Sequence, residues 1–213
     1  MIVTTQKPLD EVLGFISPYR AILIAGCDGC TQPPRGLKEA ETLSQLLELA
    51  GKLKDKSFTF KTMSLAKQCD DYLAKSVVEP QLDGIEAVLS LACGVGVQTL
   101  AGLFPGIPVF PAQNTHFMGG ESREAGYIEE MCSGCGECRL GITGGICPVT
   151  RCTKGLLNGQ CGGSKNGKCE LSPEKDCGWV LIYERLKSLG KLDNLREFSP
   201  PRDYQQSGWR ITT

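Results

Sequence analysis

Cysteine is the residue type in this sequence whose number and spacing could do chemistry, and eight of the twelve fall between Cys132 and Cys177. They are Cys132, Cys135, Cys138, Cys147, Cys152, Cys161, Cys169 and Cys177. The first three have C-x2-C-x2-C spacing, and Cys147 is followed by Pro148. Two intervening residues let the chain fold back so that successive sulfurs converge on one metal centre. The run is close to that of bacterial ferredoxins, where three thiolates hold one 4Fe–4S cluster and a later Cys-Pro cysteine ligates another. Gly134, Gly136, Gly144 and Gly145 allow the positive-φ turns that such wrapping needs. Eight residues separate Cys138 from Cys147, where the ferredoxin run has three. The local wrapping therefore differs from a ferredoxin's.

The other four cysteines sit among elements of a different kind. Residues 9–16 carry helical apolar spacing at Leu9, Val12, Leu13 and Ile16. Tyr19 to Ala25 is an apolar run of strand length, ending in Gly26-Cys27-Asp28-Gly29-Cys30. A helix is predicted from Leu37 to Ala50, with Leu43, Leu46, Leu47 and Ala50 on one face and Gly51 as its stop. Ser57 to Met63 reads as a second strand, and a helix around Lys67–Lys75 contains Cys69. Glu86 to Leu91 is a third strand, running into Cys93 and a short helix that ends at Leu103. Ile107 to Phe110 is a fourth. Strand–helix alternation of this kind predicts a parallel sheet covered by helices. Sites in such sheets form beyond the carboxyl ends of the strands, where the strand order switches. If the first and third strands flank that point, Cys27, Cys30 and Cys93 converge, and Cys69 supplies a fourth thiolate. Cys69 and Cys93 as small buried hydrophobes, and a redox dithiol at Cys27 and Cys30, are the competing readings.

Length and composition set the frame. A chain of 213 residues accommodates one ordinary domain and a smaller second one. The expected division is 1–115, an α/β domain, and 116–213, a cysteine-rich domain. Hydrophobic content of 41% and 22% charged residues describe a soluble globular protein. A net charge of −1 gives no footprint for nucleic acid or an anionic membrane. No run has the length of a membrane span, and no apolar core of signal-peptide length follows Met1. The expected location is the cytoplasm, where thiols stay reduced. There, twelve cysteines read as metal ligands, with a disulfide scaffold as the alternative.

Other features are less specific. Gly94-Val95-Gly96-Val97-Gln98-Thr99 falls short of a dinucleotide fingerprint, since Thr99 replaces the third glycine and no acidic residue follows at the usual distance. These glycines are expected to let backbone amides approach a cluster or a partner. Residues 112–131 read as a connector, with His116 structural and Arg123, Glu121, Glu124, Glu129 and Glu130 on a solvated face. Trp179, Ile182, Tyr183, Leu186 and Leu189 mark an amphipathic helix ended by Gly190. Tyr204 and Trp209 in the tail are candidates for a partner-clasping arm. The fold class expected is α/β: a small Rossmann- or flavodoxin-like parallel sheet, then a loop-dominated iron–sulfur domain ending in an amphipathic helix.

A longer pattern carries a family resemblance. Cys147-Pro148, Leu156-Leu157-Asn158-Gly159-Gln160-Cys161-Gly162-Gly163-Ser164, Gly167-Lys168-Cys169-Glu170, Cys177-Gly178-Trp179 and Tyr183-Glu184-Arg185-Leu186 resemble the methylenetetrahydrofolate reductase C-terminal domain. That domain also occurs as a separate MetV-type small subunit in acetogenic bacteria. The likeness covers about residues 130–190, and residues 19–111 are similar to the amino-terminal half of the same subunit. The resemblance implies a flavin-containing TIM-barrel catalytic subunit as partner, with FMN or FAD held there and not in this chain. It implies work in the reductive acetyl-CoA pathway, where methylenetetrahydrofolate becomes methyltetrahydrofolate.

Two functions compete. One is an electron-transfer subunit whose two or three 4Fe–4S clusters pass electrons from ferredoxin or another iron–sulfur donor to the partner's flavin. The other is a zinc-stapled interaction subunit of the same reductase. Four-cysteine zinc sites usually show paired C-x2-4-C knuckles, and the intervals of five, nine, eight and eight between Cys147 and Cys177 are unlike those. Zinc remains the alternative at one four-cysteine site. The order of the cysteines does not say which of them share a centre. No nucleophile–base pair or phosphate loop points to catalysis within the chain.

Overall fold

The structure is a computed structural model, and it describes residues 1–122 and 126–201. The chain divides into two compact units, Met1–His116 and Phe117–Thr213. The first contains, in order, β1 (Ile2–Gln6), α1 (Leu9–Ile16), β2 (Ala21–Cys27), β3 (Thr31–Gln32), α2 (Leu37–Lys52), β4 (Thr59–Leu65), α3 (Asp71–Val78), β5 (Ala87–Ser90), α4 (Gly94–Leu103) and β6 (Val109–Pro111).

Four of these strands form a parallel sheet in the order β4-β2-β5-β6. Ile22, Leu23, Ile24 and Ala25 of β2 are fully buried, as a strand covered on both faces must be. Successive side chains point to opposite faces. Ile22 and Ile24 therefore join a core with Val12, Leu13 and Ile16 of α1 and Leu43 and Leu47 of α2. Leu23 and Ala25 join another with Ala74 and Val78 of α3 and Leu100 of α4. The strand order reverses direction between β2 and β5, which is the switch point expected from sequence.

Several local readings change. The helix expected to contain Cys69 starts only at Asp71, because the Asp70 side chain accepts a hydrogen bond from the Leu73 amide at 3.0 Å. That is an N-cap, and it leaves Cys69 in the preceding loop. Helix α2 continues through Gly51 to Lys52. A Cβ on Gly51 would lie 2.7 Å from the Phe58 ring, so this glycine makes room for packing instead of stopping the helix. Leu46 is 48% exposed, and Ala40 takes its place on the buried face. Short strands β1 and β3 pair in parallel, Ile2 with Thr31 and Val3 with Gln32. His116 has its ring nitrogen 2.8 Å from the Thr5 hydroxyl.

Residues 112–131 form a hairpin where a connector was expected. Strand β7 (Gln113–Ser122) begins in the first unit and continues into the second. It pairs antiparallel with β8 (Tyr127–Cys132), with a register shift between Met118 and Gly119. A Cβ on Gly119 would lie 2.7 Å from Ile128. This glycine marks a close approach of the partner strand, not a turn. Glu129, assigned to a solvated face, pairs with Arg151 at 2.6 Å. Arg123 and Glu124 lie outside the described residues.

The second unit continues with α5 (Pro148–Arg151), the hairpin β9 (Lys168–Cys169) and β10 (Ser172–Asp176), and α6 (Gly178–Ser188). Its core is small. Trp179, Ile182 and Leu186 of α6 pack with Ile146, Leu156, Cys152 and Cys177. Tyr183 and Leu189, expected on the same face, are each 43% exposed. No helix among the described residues is long and apolar enough to cross a membrane.

Helix α4 offers a paired test of packing in the first unit. A Cβ on Gly96 would lie 2.7 Å from Ala92 Cβ and 2.8 Å from Gln68 Cβ, whereas Gly102 has open space. Gly96→Ala should therefore cost about 1–3 kcal/mol. Gly102→Ala should stabilise by up to about 1 kcal/mol. Urea unfolding of the reduced, metal-free chain measures both, and equal effects at the two positions would refute the packing argument.

Candidate metal centres

Three segments leave the carboxyl end of the first unit's sheet beside the switch point. The first is the end of β2, at Cys27, with the turn after it, which carries Cys30. The second is the loop after β4, which carries Cys69. The third is the step from β5 into α4, where Cys93 is the residue capping the helix. All four cysteines line one cavity of about 330 Å³, together with Gly29, Thr31, Ala66, Lys67, Ala92 and Gly96. Their approach depends on glycine. A Cβ on Gly26 would lie 2.6 Å from Gly36 O, and one on Gly29 would lie 2.4 Å from Ala66 O. The turn is pinned by Cys27 N–H to Arg35 O at 2.7 Å and Asp28 N–H to Leu65 O at 3.0 Å. The Ser64 hydroxyl also donates to the Asp28 carboxylate.

The electrostatics follow from this crowding. Partial burial pushes the Cys69 thiol up from its ordinary value, and the neighbouring Cys27, Cys30 and Cys93 push the same way. A cation shared by the four would relieve that mutual repulsion. Cys93 stands at the N-terminus of a ten-residue helix. The Gly94 amide is engaged by the Thr115 hydroxyl at 2.9 Å. The Gly94 amide is thus not an open donor, while Gly96 lines the cavity beside the four cysteines as well as packing closely against Ala92 and Gln68.

In the second unit Cys152, Cys161, Cys169 and Cys177 line a much smaller pocket of about 20 Å³, with Thr153, Lys154, Glu170 and Trp179 among its walls. Cys152 follows α5, and Cys177 caps α6. The two come together because a Cβ on Gly178 would lie 2.7 Å from the Arg151 backbone. The Cys177 amide donates to Gly167 O at 2.7 Å, which draws in the β9–β10 hairpin and Cys169. Trp179 Nε1 donates to Leu156 O at 2.9 Å. The Leu171 amide and the Thr153 hydroxyl hold the Cys169 thiol below its ordinary value.

Cys132, Cys135, Cys138 and Cys147 line neither of these cavities. Cys132 closes β8, Cys135 and Cys138 lie in the irregular stretch after it, and Cys147 caps α5. Strand and helix are tied by Thr150 Oγ1 to Met131 O at 3.3 Å and by the Arg151–Glu129 pair. Gly134, Gly136, Gly144 and Gly145 all have positive φ, between 64° and 89°. Among the described residues no disulfide joins any cysteine. Nor do three Cys, His, Asp or Glu side chains there already stand together as ligands of one ion would. Tyr204 and Trp209 lie outside the described residues.

With this geometry in view, a family described as methylene-tetrahydrofolate reductase C terminal matches residues 110–205. Residues 110–205, somewhat under half of the chain, are similar to that family. Neither a curated protein nor a solved structure matches the chain. The reductase C-terminal domain thus takes in the hairpin β7–β8 and all eight clustered cysteines, and associates the chain with methylenetetrahydrofolate reductase and one-carbon metabolism. The cavity lined by Cys27, Cys30, Cys69 and Cys93 lies outside the match.

The two shifted thiols can be compared directly. The thiolate is the reactive form, so a lowered thiol reacts at lower pH and a raised one at higher pH. In the metal-free, reduced chain, Cys169 should be alkylated by iodoacetamide at lower pH than Cys69. Site-resolved mass spectrometry across a pH series reads the order, and earlier labelling of Cys69 would contradict it.

Proposed function

We propose that this chain is the iron–sulfur electron-transfer subunit of a methylenetetrahydrofolate reductase. The observation that carries the proposal is the 330 Å³ cavity lined by four cysteines at the switch point of the sheet, in a chain whose residues 110–205 are similar to the reductase C-terminal family. Four sulfurs around that volume suit a cofactor of several atoms better than a single ion, and four thiolates are the usual ligand set of a 4Fe–4S cluster. Bound there, such a cluster supplies one-electron transfer. The chain's part would be to hold it through Cys27, Cys30, Cys69 and Cys93, beside the N-terminal end of α4.

The remaining cysteines divide into two further sets of four. Cys152, Cys161, Cys169 and Cys177 share the small pocket. Cys132, Cys135 and Cys138 are left with Cys147, which α5 holds against β8. Ferredoxin or a similar iron–sulfur protein is the donor on this reading. The acceptor is the flavin, FMN or FAD, of a TIM-barrel catalytic subunit. Flavin there links single-electron supply to hydride delivery onto methylenetetrahydrofolate.

One observation favours a second metal at one site. A pocket of about 20 Å³ has room for one ion more readily than for a cluster, so zinc held by Cys152, Cys161, Cys169 and Cys177 is the competing assignment there.

The chain, purified without oxygen, should be brown and bleach with dithionite. Three clusters give about 12 iron atoms per chain, and two clusters with one zinc give about 8 iron and 1 zinc. Cys135→Ser should remove about 4 iron atoms and leave the first unit folded by circular dichroism. With the flavin subunit the chain should form a stable complex that reduces methylenetetrahydrofolate from a low-potential donor, while the chain alone should be inactive. A colourless chain containing only zinc would sink the electron-transfer reading.

A further inference from the structure

Directly beneath the first unit's four cysteines lies Gln68, a side chain with no exposed surface. Its amide is fully engaged. Nε2 donates to Ala25 O at 2.8 Å and to Gly26 O at 2.9 Å. Oε1 accepts from the Ser90 hydroxyl at 2.6 Å. The same hydroxyl accepts from the Ala92 amide at 3.2 Å. Three backbone segments are thereby joined, and they are the three that carry thiols. Ala25 and Gly26 lead into Cys27 and Cys30, Gln68 immediately precedes Cys69, and Ala92 immediately precedes Cys93.

The sheet itself cannot make this connection. Pairing of β2 with β5 ends at Ala25 and Ser90. Cys93 stands three residues beyond that last pair and Cys69 four residues beyond the end of β4. The Gln68–Ser90 pair carries the tie past the end of the ladder. Helix α4 rests on the same residue, since Gly96 packs against Gln68 Cβ. A buried amide is costly unless its donors and acceptor are met, and here they are met by the strand ends that position the thiols.

We infer that Gln68 is a positioning residue: its side-chain amide holds the three cysteine-bearing segments at fixed spacing, so that Cys27, Cys30, Cys69 and Cys93 stay close enough to close on one metal centre. The inference rests on the reading of that cavity as a metal centre. Outer-shell groups that orient ligands typically alter metal affinity by about 10–100-fold when removed.

The test uses the full chain purified without oxygen. Gln68→Met keeps the volume and removes both donors and the acceptor. Ser90→Ala is the milder second variant, which leaves the two bonds to β2 in place. Metal content and the rate of metal loss to bathophenanthroline disulfonate and EDTA are measured for each, alone and combined with Cys30→Ser. Urea unfolding of the metal-free forms is measured alongside. Gln68→Met should release the metal of this centre at least about tenfold faster, with Ser90→Ala between it and wild type. With Cys30→Ser present, Gln68→Met should change nothing further in metal release. Should Gln68→Met not fold, Ser90→Ala decides the matter by the same comparison. Unchanged release kinetics with only a shifted urea midpoint would overturn the positioning role and leave the metal centre standing. Equal metal content in wild type and Cys30→Ser would remove the centre itself and, with it, the inference.

Discussion

The first unit depends on one constraint: strand β2 must be paired on both sides. Ile22 through Ala25 are wholly buried, and buried amides and carbonyls have to find partners. They find them in β4 along one side and β5 along the other. A chain that places its second strand on one flank and its third on the other must cross over the first. That crossing creates the switch point, where connections diverge and leave a crevice. The loops after β2, β4 and β5 open onto the same crevice. A cysteine on each is enough for convergence, with no specific long-range contact between the thiols themselves.

The second unit is built under a different constraint. Among the described residues its buried apolar side chains reduce to Trp179, Ile182 and Leu186, and glycine-rich loops surround them. Small cores of this kind ordinarily need cross-links or metal to order the chain. No disulfide does this among the described residues, while the thiols Cys152 and Cys177 pack directly against the core. On the proposed reading, metal binding in this unit supplies folding free energy as well as redox chemistry. In the first unit, two apolar cores on the faces of the sheet supply it instead, and a metal there would be carried by a fold already made.

The parallel sheet was legible because apolar runs of strand length at Tyr19–Ala25 and Glu86–Leu91, and the alternating Ser57–Met63, are separated by helices of 3.6-residue spacing. The convergence of Cys27, Cys30, Cys69 and Cys93 was legible from the same alternation, once the switch point was placed between the first and third strands. Other parts were hidden for identifiable reasons. Asp70 competes with any reading that starts α3 earlier, since its carboxylate caps the helix and excludes Cys69. Gly119 and Gly120 imitate a turn, although they lie within a strand at a register shift. Strand β1 is a mixed segment, Ile2-Val3-Thr4-Thr5-Gln6, whose identity comes only from its partner. Gln68 is hidden most deeply. Nothing in a one-dimensional pattern separates a glutamine tied to the ends of two strands from one on a surface loop.

The family match and the thiol-lined cavity bear on function independently. The match begins at residue 110, after β5, α4 and Cys93, so it contributes nothing to the convergence of thiols in the first unit. Conversely, that convergence follows from strand order alone and owes nothing to likeness with a reductase. A subunit needed only to hold a partner in place could do so with the second unit and its cysteines. It would not require four further thiols at the ligand-binding edge of a separately folded sheet, around a cavity large enough for a polynuclear cofactor. Burial raises the Cys69 thiol and the three neighbouring thiols push the same way, and groups perturbed in this manner cluster at functional sites. On the proposed reading, three sets of four cysteines on two units suit a chain that passes electrons between centres, because transfer requires more than one place for the electron to reside.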